Sequence, residues 1–256
     1  MTELLFRRVV PPVLAAIVVL GGWQFLVSVN DISPLVLPKP SAIGGNLLHN
    51  WVHYLEDGLI TLREAAMGFV IAVVLSIALA AAMTTWRFIH HAMNPLQTAL
   101  RSMPVVALAP ALVLWLGFGD APKIVIAAII TFPPLLVNAL TGFNRVDVDS
   151  LEVLASVGAS KREVFKALRV PHALPYLLSA AKVCVSLALV GAVVGEWAGS
   201  SEGLGYRIVR AQRDLETTTV WGATLALALL GIGLTLVVSL LERRVLRHHP
   251  HMRSES

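Results

Sequence analysis

Few residues in this chain have the types and spacing to do chemistry. The one cysteine, Cys184, sits inside an apolar stretch, which excludes a disulfide framework or a multi-cysteine metal site and reads as a small buried hydrophobe. His90 and His91 follow Arg87 in what reads as a short turn, and His248, His249 and His251 decorate a basic tail. Neither set closes a ligand arrangement, so both read as surface histidines. Gly203-Leu204-Gly205-Tyr206 lacks the lysine and spacing of a phosphate-binding loop and reads as a tight backbone turn. Without a converging nucleophile, acid–base pair or metal cluster, no catalytic residue is expected. Two charges do need explaining, because Lys182 and Glu196 interrupt an apolar run from Ala173 to about Trp197. Beside Trp197, Glu196 reads either as a pathway or gate acid or as an interfacial acid with an aromatic anchor. Lys182 either faces a substrate, pairs with an acid, or snorkels from its helix.

The elements that hold these residues follow from composition. The 256 residues are 56% hydrophobic and 14% charged, with a mean hydropathy of +0.75. A soluble chain is about one quarter charged, so the residues missing here are those that would face water. The exterior is lipid, and disorder is excluded. A net charge of +4 does not indicate nucleic acid, since the bases are scattered between apolar runs rather than gathered in a patch. A bilayer core of about 30 Å needs roughly 20 apolar helical residues. The uncharged windows Val9–Asn30, Ala65–Met83, Ser102–Gly119, Ile124–Phe143 and Trp221–Leu241, with Ala173–Trp197, predict an all-α polytopic membrane protein with six transmembrane helices. Twelve lysines and arginines fall on one side of these spans against six on the other, which predicts both termini in the cytoplasm.

Three connections are long enough to hold structure. Residues 31–60 open with three prolines, and after Ser41 the positions Ile43, Leu47, Leu48, Trp51 and Leu55 recur at helical spacing. This predicts an amphipathic helix on the outer membrane surface. Residues 144–172, on the cytoplasmic side, read as two short helices. Ser150 is positioned to cap one beginning at Leu151-Glu152, Gly158 to end it, and Ser160 to cap a second with Glu163 in a capping box. Pro171 is expected to stop that second helix. A linker needs only a few residues, so a charged helix-Gly-helix unit facing the cytosol has the shape of a docking element. The third connection, residues 198–219, is external and holds the Gly203–Tyr206 turn.

At the cytoplasmic segment the chain resembles a known family. Glu152-Val153-Leu154, three residues, Gly158, nine residues, then Leu168-Arg169-Val170-Pro171 is similar to the E-A-A-x3-G-x9-I-x-L-P loop of ABC importer permeases. Val153 and Leu154 replace its alanines, and Leu168 and Val170 replace its Ile and Leu. The resemblance covers roughly residues 33–245. Leu37-Pro38-Lys39-Pro40-Ser41, Thr61-Leu62-Arg63 with Gly68-Phe69, Pro104 through Trp115-Leu116-Gly117-Phe118-Gly119, and Gly195-Glu196-Trp197 with Gly203–Tyr206 are similar to the branch associated with nitrate, aliphatic sulfonates and taurine. Relatives of this kind are also linked to pyrimidine precursors of thiamine.

The resemblance implies a type I importer-like bundle in the bacterial plasma (inner) membrane. It implies a second permease copy in a homodimer, a cytoplasmic ABC ATPase dimer that binds ATP-Mg, and an extracytoplasmic solute-binding protein. No cofactor is expected on this chain itself and no nucleic acid partner. In this reading 1–60 is an N-terminal transmembrane helix with an external segment, 61–245 a core of five spans carrying the coupling loop 144–172, and 246–256 a basic cytoplasmic tail. Glu152, Gly158, Ala159, Ser160, Leu168 and Pro171 would couple to the ATPase. Met103, Pro104 and Pro110, where prolines break the helical ladder, would line the pathway or gate with Glu196 and Trp197, with plain helix packing the other reading of Met103. An ion-coupled transporter or channel is the alternative. It would call for paired intramembrane acids, repeats or a selectivity loop, and would leave the helix-Gly-helix segment unexplained.

Overall fold

The computed structural model describes residues 2–247. Those residues form helices and turns with no strand: α1 (Thr2–Val29), α2 (Pro40–His49), α3 (Trp51–Thr85), α4 (Arg87–Ser102), α5 (Val105–Leu116), α6 (Asp120–Asn144), α7 (Val148–Ser156), α8 (Lys161–Val164), a π-helical turn (Phe165–Arg169), α9 (Val170–Gly199), α10 (Leu204–Arg213) and α11 (Thr217–Leu246). The histidines of the basic tail lie outside the described residues.

Three helices make the centre. The inward face of α3 carries Gly68, Ala72, Ser76 and Ala80, small residues one turn apart, and small residues let helices approach closely where lipid offers no hydrophobic drive between them. Ala127 of α6 shows how close: a Cβ on Gly68 of α3 would lie 2.5 Å from its Cβ, and one on Gly191 of α9 the same distance from its Cα. Ala127 is thus held between two glycines on opposite neighbours. Apolar clusters continue this seam along the bundle, from Ala65, Ala188 and Ala192 through Ala72, Leu135 and Cys184 to Met83, Leu136, Phe143 and Ala173. Leucines, valines and phenylalanines elsewhere on α1, α3 and α11 point outward, which suits a lipid exterior and would be costly in water.

Among the described residues, five helices are long and apolar enough to cross a membrane, beginning with Val10–Val29 and Trp51–Thr85 and followed by Asp120–Asn144, Lys161–Gly199 and Thr217–Leu246. The sixth expected window, Ser102–Gly119, contains the 12-residue α5, about 18 Å long at 1.5 Å per residue. Backbone chemistry cuts it short. Pro104 stands at the N-cap, and Gly117 and Gly119 take φ of +80° and +134° after the last turn.

Two other expectations change. The outer amphipathic helix ends at His49, and Trp51 and Leu55 belong to the first turns of the 35-residue α3. His90 and His91 lie within α4 rather than in a turn, with their rings edge to face.

Candidate functional site

The exposed segment after α6 is built by local rules. Helix α7 starts at Val148 with Asp147 as its N-cap residue, three positions earlier than expected. Ser150 therefore lies inside the first turn, where its hydroxyl donates to Asp147 Oδ2 at 3.3 Å, and Glu152 falls one turn further on. The end of α7 is as expected. Gly158 takes φ +72°, its N–H donates to Ala155 O, and the Ala159 N–H donates to Leu154 O, a Schellman pairing that a left-handed residue makes possible. Ser160 then caps α8 through a complete capping box with Glu163, whose carboxylate accepts from the Ser160 N–H at 2.7 Å. Glu152, Gly158 and Ser160 are exposed and Ala159 half-buried. Val148 and Val153 of α7, and Val157 at its C-cap, are also exposed.

Pro171 does not stop the second helix. The chain runs as one helix from Lys161 to Gly199, with the π turn Phe165–Arg169 just ahead of the proline. There the Val170 N–H reaches back to Phe165 O, a five-residue step instead of four. In a regular α-helix the Pro171 ring would collide with the carbonyl of Ala167 and leave it unpaired; widening the turn accommodates the ring without ending the helix. Leu168 and Pro171 are half-buried in this stretch.

The opposite end of the bundle holds a buried polar network. Glu64 of α3, Lys123 of α6 and Glu196 of α9 are 0%, 2% and 1% exposed. Lys123 Nζ pairs with Glu64. The lysine also donates to Ser200 Oγ at 3.2 Å, and Asp120 lies 3.5 Å away. Glu196 is held differently, by the start of α10. It accepts from the N–H groups of Gly205 and Tyr206 and from the Thr61 hydroxyl, which in turn accepts from the Leu204 N–H. A carboxylate at a helix N-terminus meets unpaired N–H groups and the positive end of the dipole. The glycines make room, since a Cβ on Gly205 would lie 2.7 Å from Glu196 Oε2 and one on Gly203 would enter the carboxyl group. Asp57 completes the clasp by accepting from the Gly203 N–H at 3.4 Å and pairing with Arg207, which stacks over Tyr54. Beside this clasp lies a polar recess of about 370 Å³ lined by Asp57, Tyr206, Arg207, Arg210, Asp214 and Glu216.

The sequence reading missed this network apart from Glu196. A signal was present: Asp57, Thr61 and Glu64 follow one another at steps of four and three, which places them on one face of a helix. Glu196 points into the core, whereas Met103, Pro104 and Pro110 are exposed on and before α5, and Trp197 is half exposed. Lys182 pairs with Glu242 of α11 at 2.7 Å, which leaves its side chain engaged within the chain.

Residues 72–247 match the family described as binding-protein-dependent transport system inner membrane component. A probable ABC transporter permease protein of Haemophilus influenzae is 30% identical over 227 residues, covering 89% of this chain and 93% of that protein. The formylaminopyrimidine transport permease protein ThiX of Halalkalibacterium halodurans is 37% identical over 172 residues, 67% of this chain and 69% of its own length. The taurine transport system permease protein TauC of Escherichia coli is 26% identical over 256 residues, 96% and 92% of the two chains. Among solved structures, a chain of the inward-facing MetNI methionine ABC transporter superposes with a TM-score of 0.59 at 18% identity, covering 74% of this chain and 93% of that one. A chain of an amino acid ABC transporter with histidines superposes at 0.60 and 15% identity, covering 78% and 97%. The exposed helix-Gly-helix segment, the small-residue bundle and the long apolar helices are thus those of an inner-membrane transport subunit, and the chain belongs to the binding-protein-dependent transport system inner membrane component family, the permeases of ABC importers.

Proposed function

We propose that this chain is the transmembrane permease subunit of an ATP-driven importer that carries a small organic or anionic solute into the cytoplasm by alternating access. Two copies form the pathway. A cytoplasmic ABC ATPase dimer, which holds the ATP-Mg, docks on α7, Gly158 and α8, and an extracytoplasmic solute-binding protein delivers solute at the other end. The permease converts motion into access and performs no bond chemistry of its own.

The carrying observation is the exposed α7–Gly158–α8 turn and its continuity with the longest helix of the bundle, Lys161–Gly199. Alternating access needs a bundle with two arrangements, biased by a different ligand at each end. A docking turn joined to a bundle-long helix supplies a mechanical connection for one of those ligands. Valines on α7 offer an apolar contact and Glu152 a charge for a basic partner group. The polar recess at the other end supports docking of the solute-binding protein there.

Six crossings with both termini inside require α4 and α5 together to supply the crossing that α5 alone is too short to make. Met103 and Pro104, at the junction between them, then fall where irregular backbone must be covered by protein or line a wet path. Relatives named for transport of taurine, formylaminopyrimidine and riboflavin support a small organic solute.

Copurification of the detergent-solubilised permease with the ATPase encoded beside it tests the docking reading. Wild type is expected to retain the ATPase, and Gly158→Asp and Glu152→Lys to lose it while still inserting in the membrane. Retention by both variants, or no binding by wild type, would remove the docking role from this segment.

A further inference from the structure

The helix that joins the docking turn to the bundle is weakest at one place. Pro171 and Pro175 stand four residues apart in α9, so each removes a donor from the ladder and both missing rungs fall on the same face. The π turn Phe165–Arg169 lies immediately before them. A wide turn followed by two missing rungs is where a helix bends at least cost.

What surrounds this stretch is fixed on one side only. Just beyond it, Ala173 is fully buried against Gly142 of α6, so closely that a Cβ on Gly142 would lie 2.7 Å from the Ala173 Cα. Tyr176 is held by Arg145, whose guanidinium donates to its hydroxyl at 3.4 Å. From there upward, α9 cannot move without α6. On the other side, α7, Gly158 and α8 are exposed and touch the bundle little. Between the two, Phe165 stacks on the buried Phe143 with ring centroids 5.1 Å apart, and Arg169 donates to Phe143 O at 3.4 Å. The stretch Phe165–Val170, against the end of α6, is thus where the exposed segment meets the fixed part of α9.

We propose that the π turn Phe165–Arg169 is a joint that lets the docking segment turn against a fixed α6–α9 core, that Pro171 is the positioning residue keeping this turn from closing into a regular α-helix, and that Phe143 is the surface on which Phe165 pivots. The proposal rests on the docking reading above and adds where the motion is absorbed. A rigid helix would carry the whole movement into the bundle; a joint passes on the component directed along the helix axis and releases the twist.

Hydrogen–deuterium exchange on the purified permease–ATPase complex tests it, without nucleotide and with MgATP. In wild type, amides of residues 165–170 are expected to be about tenfold less protected than those of 176–192, because a turn that bends opens more often than a packed helix, and to change on adding MgATP. Pro171→Ala combined with deletion of Ala167 restores a four-residue turn and keeps the flanking registers. It is expected to raise protection at the joint to that of its neighbours and abolish the MgATP response there, with the ATPase still bound. Should that variant not assemble, Phe165→Ala, which leaves the ladder intact, is expected to keep the low protection and enlarge the MgATP response. Equal protection of 165–170 and 176–192 in wild type, or an unchanged MgATP response in the variants, overturns the joint while leaving docking intact. Failure of wild type to hold the ATPase overturns the docking reading and the joint with it.

Discussion

Thr61 and Glu196, 135 positions apart in the chain, meet with 2.6 Å between hydroxyl and carboxyl oxygens. The contact ties α3 to α9, and because the same hydroxyl accepts from the Leu204 N–H, it ties both to the start of α10. Helix α3 is thus closed with the adjoining α9 and α10 around one carboxyl group, at the end of the bundle away from the α7–Gly158–α8 turn. The space is set by backbone, not by side chains. Gly205→Ala puts a methyl 2.7 Å from Glu196 Oε2 and 3.0 Å from Val193 O, and neither can retreat. The expected cost is about 1 to 3 kcal/mol, read as a lower melting temperature in detergent. Gly203→Ala should cost more, since φ is +101° there as well. Melting temperatures at the wild-type value for both would show that the clasp is not closed as described.

Lys123 and Glu64 allow a sharper test, because both are buried and each is the other's main charge partner. Removing one partner leaves an uncompensated charge in a medium of low dielectric, at a cost of about 3 to 5 kcal/mol. Removing both leaves no such charge. Lys123→Met alone is expected to destabilise strongly and Lys123→Met with Glu64→Met distinctly less, despite altering more of the structure. Thermal unfolding of wild type, Lys123→Met, Glu64→Met and the double variant in the same detergent checks the order. A double variant as unstable as the sum of its singles would mean that the two residues act independently.

How much of this was legible in the sequence depends on how local each feature is. The capping box of Ser160 and Glu163 and the Gly158 helix end were readable because a few neighbouring residues determine them. The apolar windows were readable because lipid demands them. Glu64 and Lys123 escaped for the same reason: a search for uncharged windows began one span at Ala65 and another at Ile124, so each charge was left just outside a helix that in fact continues through it. Only the packing of α3 on α6 shows that the two charges neutralise each other. Pro171 was misread because the rule that proline ends a helix assumes the four-residue turn, and the π turn removes that assumption. The shortness of α5 was hidden because an apolar run does not report the positive φ of Gly117 and Gly119.

Gly158 makes a prediction that separates backbone from bulk. Nothing lies within 4 Å of where its Cβ would be, yet φ is +72°, so a substitution there pays in conformation and not in collision. Left-handed backbone costs an ordinary residue about 1 to 2 kcal/mol, and asparagine tolerates it better than most. ATPase retention on copurification is expected to fall in the order Gly, Asn, Ala, Val at this position. If Asn and Val retain the ATPase equally, the left-handed turn does not govern docking.

The exposed end of α5 gives a test of the proposed second permease copy. Trp115 and Phe118 are 84% and 85% exposed, which lipid could cover. The backbone beside them is another matter: from Gly117 to Gly119 it is non-helical, and polar backbone outside a helix is not tolerated against hydrocarbon, only against protein or water. A neighbouring copy with its own α5 would cover both the rings and the backbone, and would place this segment at the shared pathway. With the native thiol removed as Cys184→Ala, Phe118→Cys is expected to form a disulfide between copies in native membranes under mild oxidation. Leu236→Cys, exposed on the far helix α11, should not. Crosslinking through Leu236 and not Phe118 would move the contact between copies to α11 and leave α5 to be covered by a different partner.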